Sequence, residues 1–123
     1  MRIVTIYLRS IKLNEENHLA MFDSNRNGDI DKLTTEVPAG DTVIWKLDSL
    51  SGIRSITKIY SKTKERNVFK TDPRKRLLCK GFKLQLTNDA KGTEAYAIEY
   101  ILYDGKELKT DPMIRVIPPP VRG

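Results

Sequence analysis

Apolar and polar residues alternate along four stretches of the chain: Val4, Ile6 and Leu8; Val43, Trp45 and Leu47; Phe82, Leu84 and Leu86; and Tyr96, Ile98, Tyr100 and Leu102. A period of two sends successive side chains to opposite faces of an extended backbone, so each stretch predicts a half-buried β-strand. The opposite parity also holds large apolar residues, at Ile3, Tyr7, Ile44, Ile101 and Tyr103. This predicts either central strands covered on both sides or an interface. Turn-forming residues fall between the runs, at Pro38 to Asp41, Ser49 to Gly52, Asn88 to Gly92 and Asp104-Gly105. Asp104-Gly105 is flanked by apolar residues and predicts a two-residue type I′ hairpin joining antiparallel strands.

These signals predict an all-β fold: an antiparallel two-sheet Greek-key sandwich of about seven or eight strands. One helical element is expected near residues 14–22, where Asn14 would cap a short turn carrying Leu19 and Phe22 three positions apart. The segment from Ser61 to Arg76 lacks periodicity and reads as a surface loop. A single domain is expected over 1–117, because 123 residues suffice for one hydrophobic core but not for two. The proline-rich residues 118–123 cannot continue a hydrogen-bonded ladder and read as a tail.

The segment Val37-Pro38-Ala39-Gly40-Asp41-Thr42-Val43-Ile44-Trp45-Lys46 resembles the Pro-x-Gly-Asp-x-Val-x-Trp strand of cupredoxins, small copper-binding β-sandwich proteins. Tyr96-Ala97-Ile98-Glu99-Tyr100 resembles the strand that leads to the copper loop in that family. The resemblance implies the fold but not the metal. A blue-copper site needs two His and a Cys, whereas His18 is the single histidine, and Tyr100 is followed by Ile101, Leu102 and Tyr103. An immunoglobulin-like sandwich would alternate in the same way, and the lone Cys79 removes the inter-sheet disulfide that separates the two.

Asp23-Ser24-Asn25-Arg26-Asn27-Gly28-Asp29-Ile30-Asp31 matches the first nine positions of a calcium-binding EF-hand loop. Asp23, Asn25, Asn27, Asp29 and Asp31 would supply oxygens to one hard cation, Gly28 would take the sharp turn, and Ile30 would anchor the loop to the core. The pattern then breaks, since Thr34 stands where a bidentate Glu should close the shell. The alternative is a hairpin connection in which Asn and Asp form side-chain turns. The cofactor expectation is accordingly none, or calcium.

Net charge is +6, and its distribution matters more than its sum. Between Arg54 and Lys83 there are eleven Lys and Arg against Glu65 and Asp72, a local balance of +9 that leaves the remainder at −3. Lys62, Lys64, Arg66, Lys70, Arg74, Lys75 and Arg76 are candidates to bind nucleic acid or another polyanion, with Tyr60, Phe69 and Phe82 as stacking surfaces. The alternatives are an ordinary solvated face and an acidic protein partner.

Catalytic machinery is sparse. Cys79 and His18 are the only nucleophile and base of the cysteine type, about sixty positions apart and without a motif around either. No zinc set, phosphate-cradling glycine loop or serine elbow is present. The N-terminus reads as a strand rather than a signal peptide, no apolar run reaches membrane-spanning length, and Cys79 has no internal partner; a cytoplasmic protein without membrane attachment is expected. By elimination, the sequence points to a non-catalytic binding or adaptor module for a protein partner, an acidic one being among the alternatives that the basic middle leaves open.

Overall fold

The computed structural model describes residues 2–76 and 81–118, which form eleven strands in two sheets and no helix. The first sheet is built from β1 (Ile3–Leu13), β2 (Glu16–Asp23), β3 (Gly28–Ile30), β5 (Thr42–Leu47), β7 (Arg74–Lys75) and β8 (Phe82–Gln85). Its order is β3-β2-β1-β5-β8-β7. The second contains β4 (Thr34–Pro38), β6 (Ile53–Ser61), β9 (Thr93–Leu102), β10 (Glu107–Thr110) and β11 (Met113–Ile117). Strand β9 is its spine: β6 runs along one edge, and β10 and β11 share the other, β10 at Ile98 to Ile101 and β11 at Thr93 to Ala95.

The sheets are mixed rather than purely antiparallel. Strand β1 lies parallel to β5, and β11 parallel to β4. A parallel neighbour cannot be reached by a tight hairpin, so the chain travels through β2, β3 and β4 before returning beside β1. The predicted strand count is also exceeded, because short edge strands such as β3 and β7 have too few residues to display a period.

The expected helical turn at residues 14–22 is instead a β-hairpin. Asn14 and Glu15 both take left-handed backbone angles, φ 51° and 67°, and Leu13 pairs with Glu16 across them. That is the geometry of a type I′ turn, for which asparagine is favoured at the first position. Asn14 therefore closes a hairpin where a helix cap was expected. The true periodicity of β2 is two, with Leu19, Met21 and Asp23 buried.

At Asp104-Gly105 the hairpin is real but its loop has three residues. Gly105 has positive φ, Asp104 does not, Leu102 N–H donates to the Lys106 carbonyl at 3.0 Å, and Gly105 N–H donates to Leu102 O. The antiparallel pairing of β9 with β10 is as expected.

Strand β6 carries no period-two signal because two bulges interrupt it. Ile53 pairs with Leu102 and Ser55 with Ile101; Ile56 pairs with Tyr100 and Lys58 with Glu99. Arg54 and Thr57 are thus extra residues, and each insertion moves the next inward side chain by one place. Ile53, Ile56 and Ile59 are buried at a spacing of three in a strand.

The inward residues of both sheets make one core around Trp45 of β5, Tyr96 of β9 and Phe69 of the segment between β6 and β7. The stretch expected as a loop over 61–76 instead ends in strand at both sides, in β6 at Ser61 and β7 at Arg74–Lys75, and the intervening residues 62–73 form a loop with a core anchor, since Val68 and Phe69 are fully buried. Glu94, also buried, holds that anchor: its two carboxylate oxygens accept from the N–H groups of Val68 and Phe69 at 3.1 Å each. Residues 119–123 of the proline tail, and Cys79 with residues 77–80, lie outside the described residues.

Candidate functional site

The five oxygen-bearing residues of the acidic loop lie along the β2–β3 hairpin and the residue after it. Asp23 ends β2, and its Oδ1 accepts from the N–H groups of Asn25 and Asn27, an Asx turn that supports the loop. Asn25 Nδ2 donates to the Glu36 carbonyl, and Asp29 Oδ1 accepts from Ile30 N–H. Asp31 faces the other way. Its Oδ1 accepts from Leu19 N–H at 2.8 Å, and His18 Nδ1 donates to its Oδ2 at 2.6 Å. Among the described residues, no three His, Cys, Asp or Glu side chains converge as metal ligands would.

Two details of that loop depart from expectation. Gly28 lies inside β3 without positive φ, and Arg26 takes the left-handed position at φ 69°. Ile30 points to solvent with 39% of its surface exposed rather than anchoring the core.

His18 is half-buried on β2, with Asp31 at one ring nitrogen and Glu16 at the other, 3.8 Å away. The dyad sits on a cleft of about 280 Å³ with Tyr100, Thr110 and Asp111. The Thr110 hydroxyl donates to the Asp31 carbonyl at 2.7 Å. The contacts of Asp31 with His18, Leu19 and Thr110 tie β2, the residue after β3 and β10 together.

The basic residues separate into paired and unpaired groups. Lys62 pairs with Asp111 at 3.0 Å and Arg66 with Asp72 at 3.4 Å. Lys64 and Lys70 are exposed on the loop. The Thr87 hydroxyl, donating to Asp89, and the nearby charge of Lys70 hold the Asp89 carboxyl below the usual carboxylate range. Arg74 pairs in register with Lys83, while Lys75 and Arg76 line a cleft with Arg54. Phe69 and Phe82 are buried in the core and unable to stack on a base. Tyr60 has Lys58 over its ring at 4.6 Å, and hydrogen bonding to Glu99 raises its phenol pKa.

A third feature comes from the opposite-parity apolar residues. On the solvent side of the first sheet the cross-strand register sets Phe22 beside Tyr7 and Tyr7 beside Lys46. The adjacent row runs Thr5, Ile44, Lys83, Arg74. Tyr7 and Phe22 stack with centroids 6.1 Å apart. Phe22 is 36% exposed, Ile30 39% and Ile3 58%, an apolar group on the outside of a sheet. Lys46, Lys83 and Arg74 close one side of it, and among the described residues none of the three is in an ion pair. Ile3, Tyr7 and Ile44 show on this parity in the sequence, whereas Phe22 and Ile30 do not, because the spacing of Leu19 and Phe22 mimics a helix and the EF-hand pattern sets Ile30 in the core.

Among the described residues there is no helix long and apolar enough to cross a membrane. Comparison with known proteins finds no family model and no curated protein that matches this chain.

Proposed function

We propose that this protein is a non-catalytic binding module that engages an acidic protein partner through the outer face of its first sheet. The observation that carries the reading is the stacked Tyr7–Phe22 pair, with Ile30 and Ile3 exposed further along the same face and Lys46, Lys83 and Arg74 on the neighbouring strands. Apolar side chains on the solvent side of a sheet cost free energy unless covered, and contiguous patches of them mark interaction sites. The cations at the border favour a partner carrying carboxylates opposite them, which would steer association and set its register. Calcium and nucleic acid have no comparable support, since Asp31 is engaged with His18 and Leu19, and Lys62 and Arg66 with acids of the same chain. The cupredoxin resemblance of Val37 to Lys46 concerns the β-sandwich scaffold alone.

The test compares the wild-type chain with Phe22→Asp and Tyr7→Ser variants as bait in the native host. The wild type should retain an acidic protein released by salt, and both variants should lose it while keeping their melting temperature within a few degrees. Identical capture by all three would overturn the reading.

A further inference from the structure

A cleft of about 170 Å³ opens where the β6 edge of the second sheet faces the β7–β8 edge of the first, lined by Arg54, Lys75 and Arg76 above Leu47, Ile56 and Phe82. We infer that it is a binding site for a phosphate monoester carried on an apolar stem. Three local features build it. Arg54 is the extra residue of the first bulge in β6, and a bulge re-aims the side chain it inserts. Arg76 N–H donates to the Gly81 carbonyl at 3.1 Å, which joins two of the residues that line the cleft. Gly81 has φ +119°, and a Cβ there would lie 2.2 Å from the Trp45 carbonyl oxygen, so the cleft wall approaches β5 more closely than any side chain permits.

The charge has no internal counterpart. Among the described residues no carboxylate lines the cleft and none of the three cations is in an ion pair, although Arg9, Arg66 and Arg115 each have an acid. Three like charges round one small opening repel one another, and a bound dianion relieves that repulsion. Two guanidiniums favour phosphate in particular, because their planar donor forks match its oxygens. The volume admits a group the size of one side chain rather than a nucleic-acid strand. The apolar floor then selects an anion with a hydrophobic stem, such as an aromatic phosphate.

Titration calorimetry of the full chain with phenyl phosphate, inorganic phosphate and phenol tests the assignment. Phenyl phosphate should bind and raise the melting temperature, inorganic phosphate should bind at least fivefold more weakly, and phenol should give no heat. The Arg54→Ala, Arg76→Ala double variant should lose at least tenfold in phenyl phosphate affinity, whereas Arg115→Ala, remote from the cleft, should not. A phosphotyrosine peptide binding more tightly than phenyl phosphate would support the site and identify a protein source; weaker binding would support it with a small-molecule source. No phenyl phosphate binding at low salt, binding unchanged in the double variant, or equal affinity for inorganic phosphate would overturn it. Phe22→Asp should leave phenyl phosphate binding unchanged, which separates this site from the docking face.

Discussion

The indole Nε1 of Trp45 donates to the Tyr96 hydroxyl at 3.1 Å, a hydrogen bond that crosses from one sheet to the other in the middle of the core. Both side chains are fully buried, and their rings meet edge to face at 5.7 Å. Tyr96→Phe keeps the ring but leaves the indole N–H without a partner away from water, a loss of about 1–3 kcal/mol. Urea unfolding should show a lower midpoint with an unchanged slope. An unchanged midpoint would mean that the core relaxes or admits water to satisfy Trp45.

Glu94 performs a comparable task for the loop between β6 and β7. Its two oxygens receive the N–H groups of Val68 and Phe69, which lets the loop bury those side chains without orphaning their backbone donors. Glu94→Gln replaces one acceptor by a donor and sets it against a backbone N–H. A loss of about 1–3 kcal/mol is expected. Amide exchange should rise more at Val68 and Phe69 than along β9, and uniform acceleration would indicate that the loop is not held by this contact.

Alkaline pH should weaken the fold through the buried phenols. Burial, and to a lesser degree the nearby charge of Asp31, raises Tyr100 to about 12, against an unfolded value near 10. The contribution of its neutral form is therefore complete below about pH 10 and is lost as pH climbs through 12. Burial raises Tyr96 as well, with the Trp45 hydrogen bond opposing the shift. Tyr100→Phe should match the wild type near neutrality and exceed its melting temperature at pH 11. A parallel decline of the two proteins would remove Tyr100 as a cause.

Regular strands were legible in the sequence and irregular ones were not. Strands β1, β5, β8 and β9 announce themselves because their inward residues keep strict period two. In β6 the bulges at Arg54 and Thr57 turn that period into three, which no alternation rule detects. In β2 the three-residue spacing of Leu19 and Phe22 suggested a helix, although one points into the core and the other to solvent. The exposed apolar face of the first sheet was half legible for the same reason. The cationic cleft was not legible, since it depends on how the edges of two sheets meet, and composition records only that the cations exist.

The loop from Asp23 to Asn27 repeats the hydrogen bonding of the loop from Leu102 to Lys106. In each the first residue exchanges bonds with the fifth or fourth: Asp23 N–H donates to Asn27 O and Arg26 N–H to Asp23 O, as Leu102 N–H donates to Lys106 O and Gly105 N–H to Leu102 O. The left-handed position holds glycine in one hairpin and Arg26 in the other. A side chain there costs about 1 kcal/mol, so Arg26→Gly should stabilise the protein by up to that amount, less the entropy glycine adds to the unfolded chain. Gly28, two positions on, is extended within β3, and a Cβ there would meet Met21 O at 3.4 Å, an ordinary contact. Gly28→Ala should then be tolerated within about 1 kcal/mol. An EF-hand geometry makes the opposite forecast, because its glycine at this position takes the sharp turn. Thermal unfolding of the two variants with and without calcium decides between them: tolerated Gly28→Ala and stabilising Arg26→Gly support the hairpin, while collapse of Gly28→Ala restored by calcium would support a metal loop.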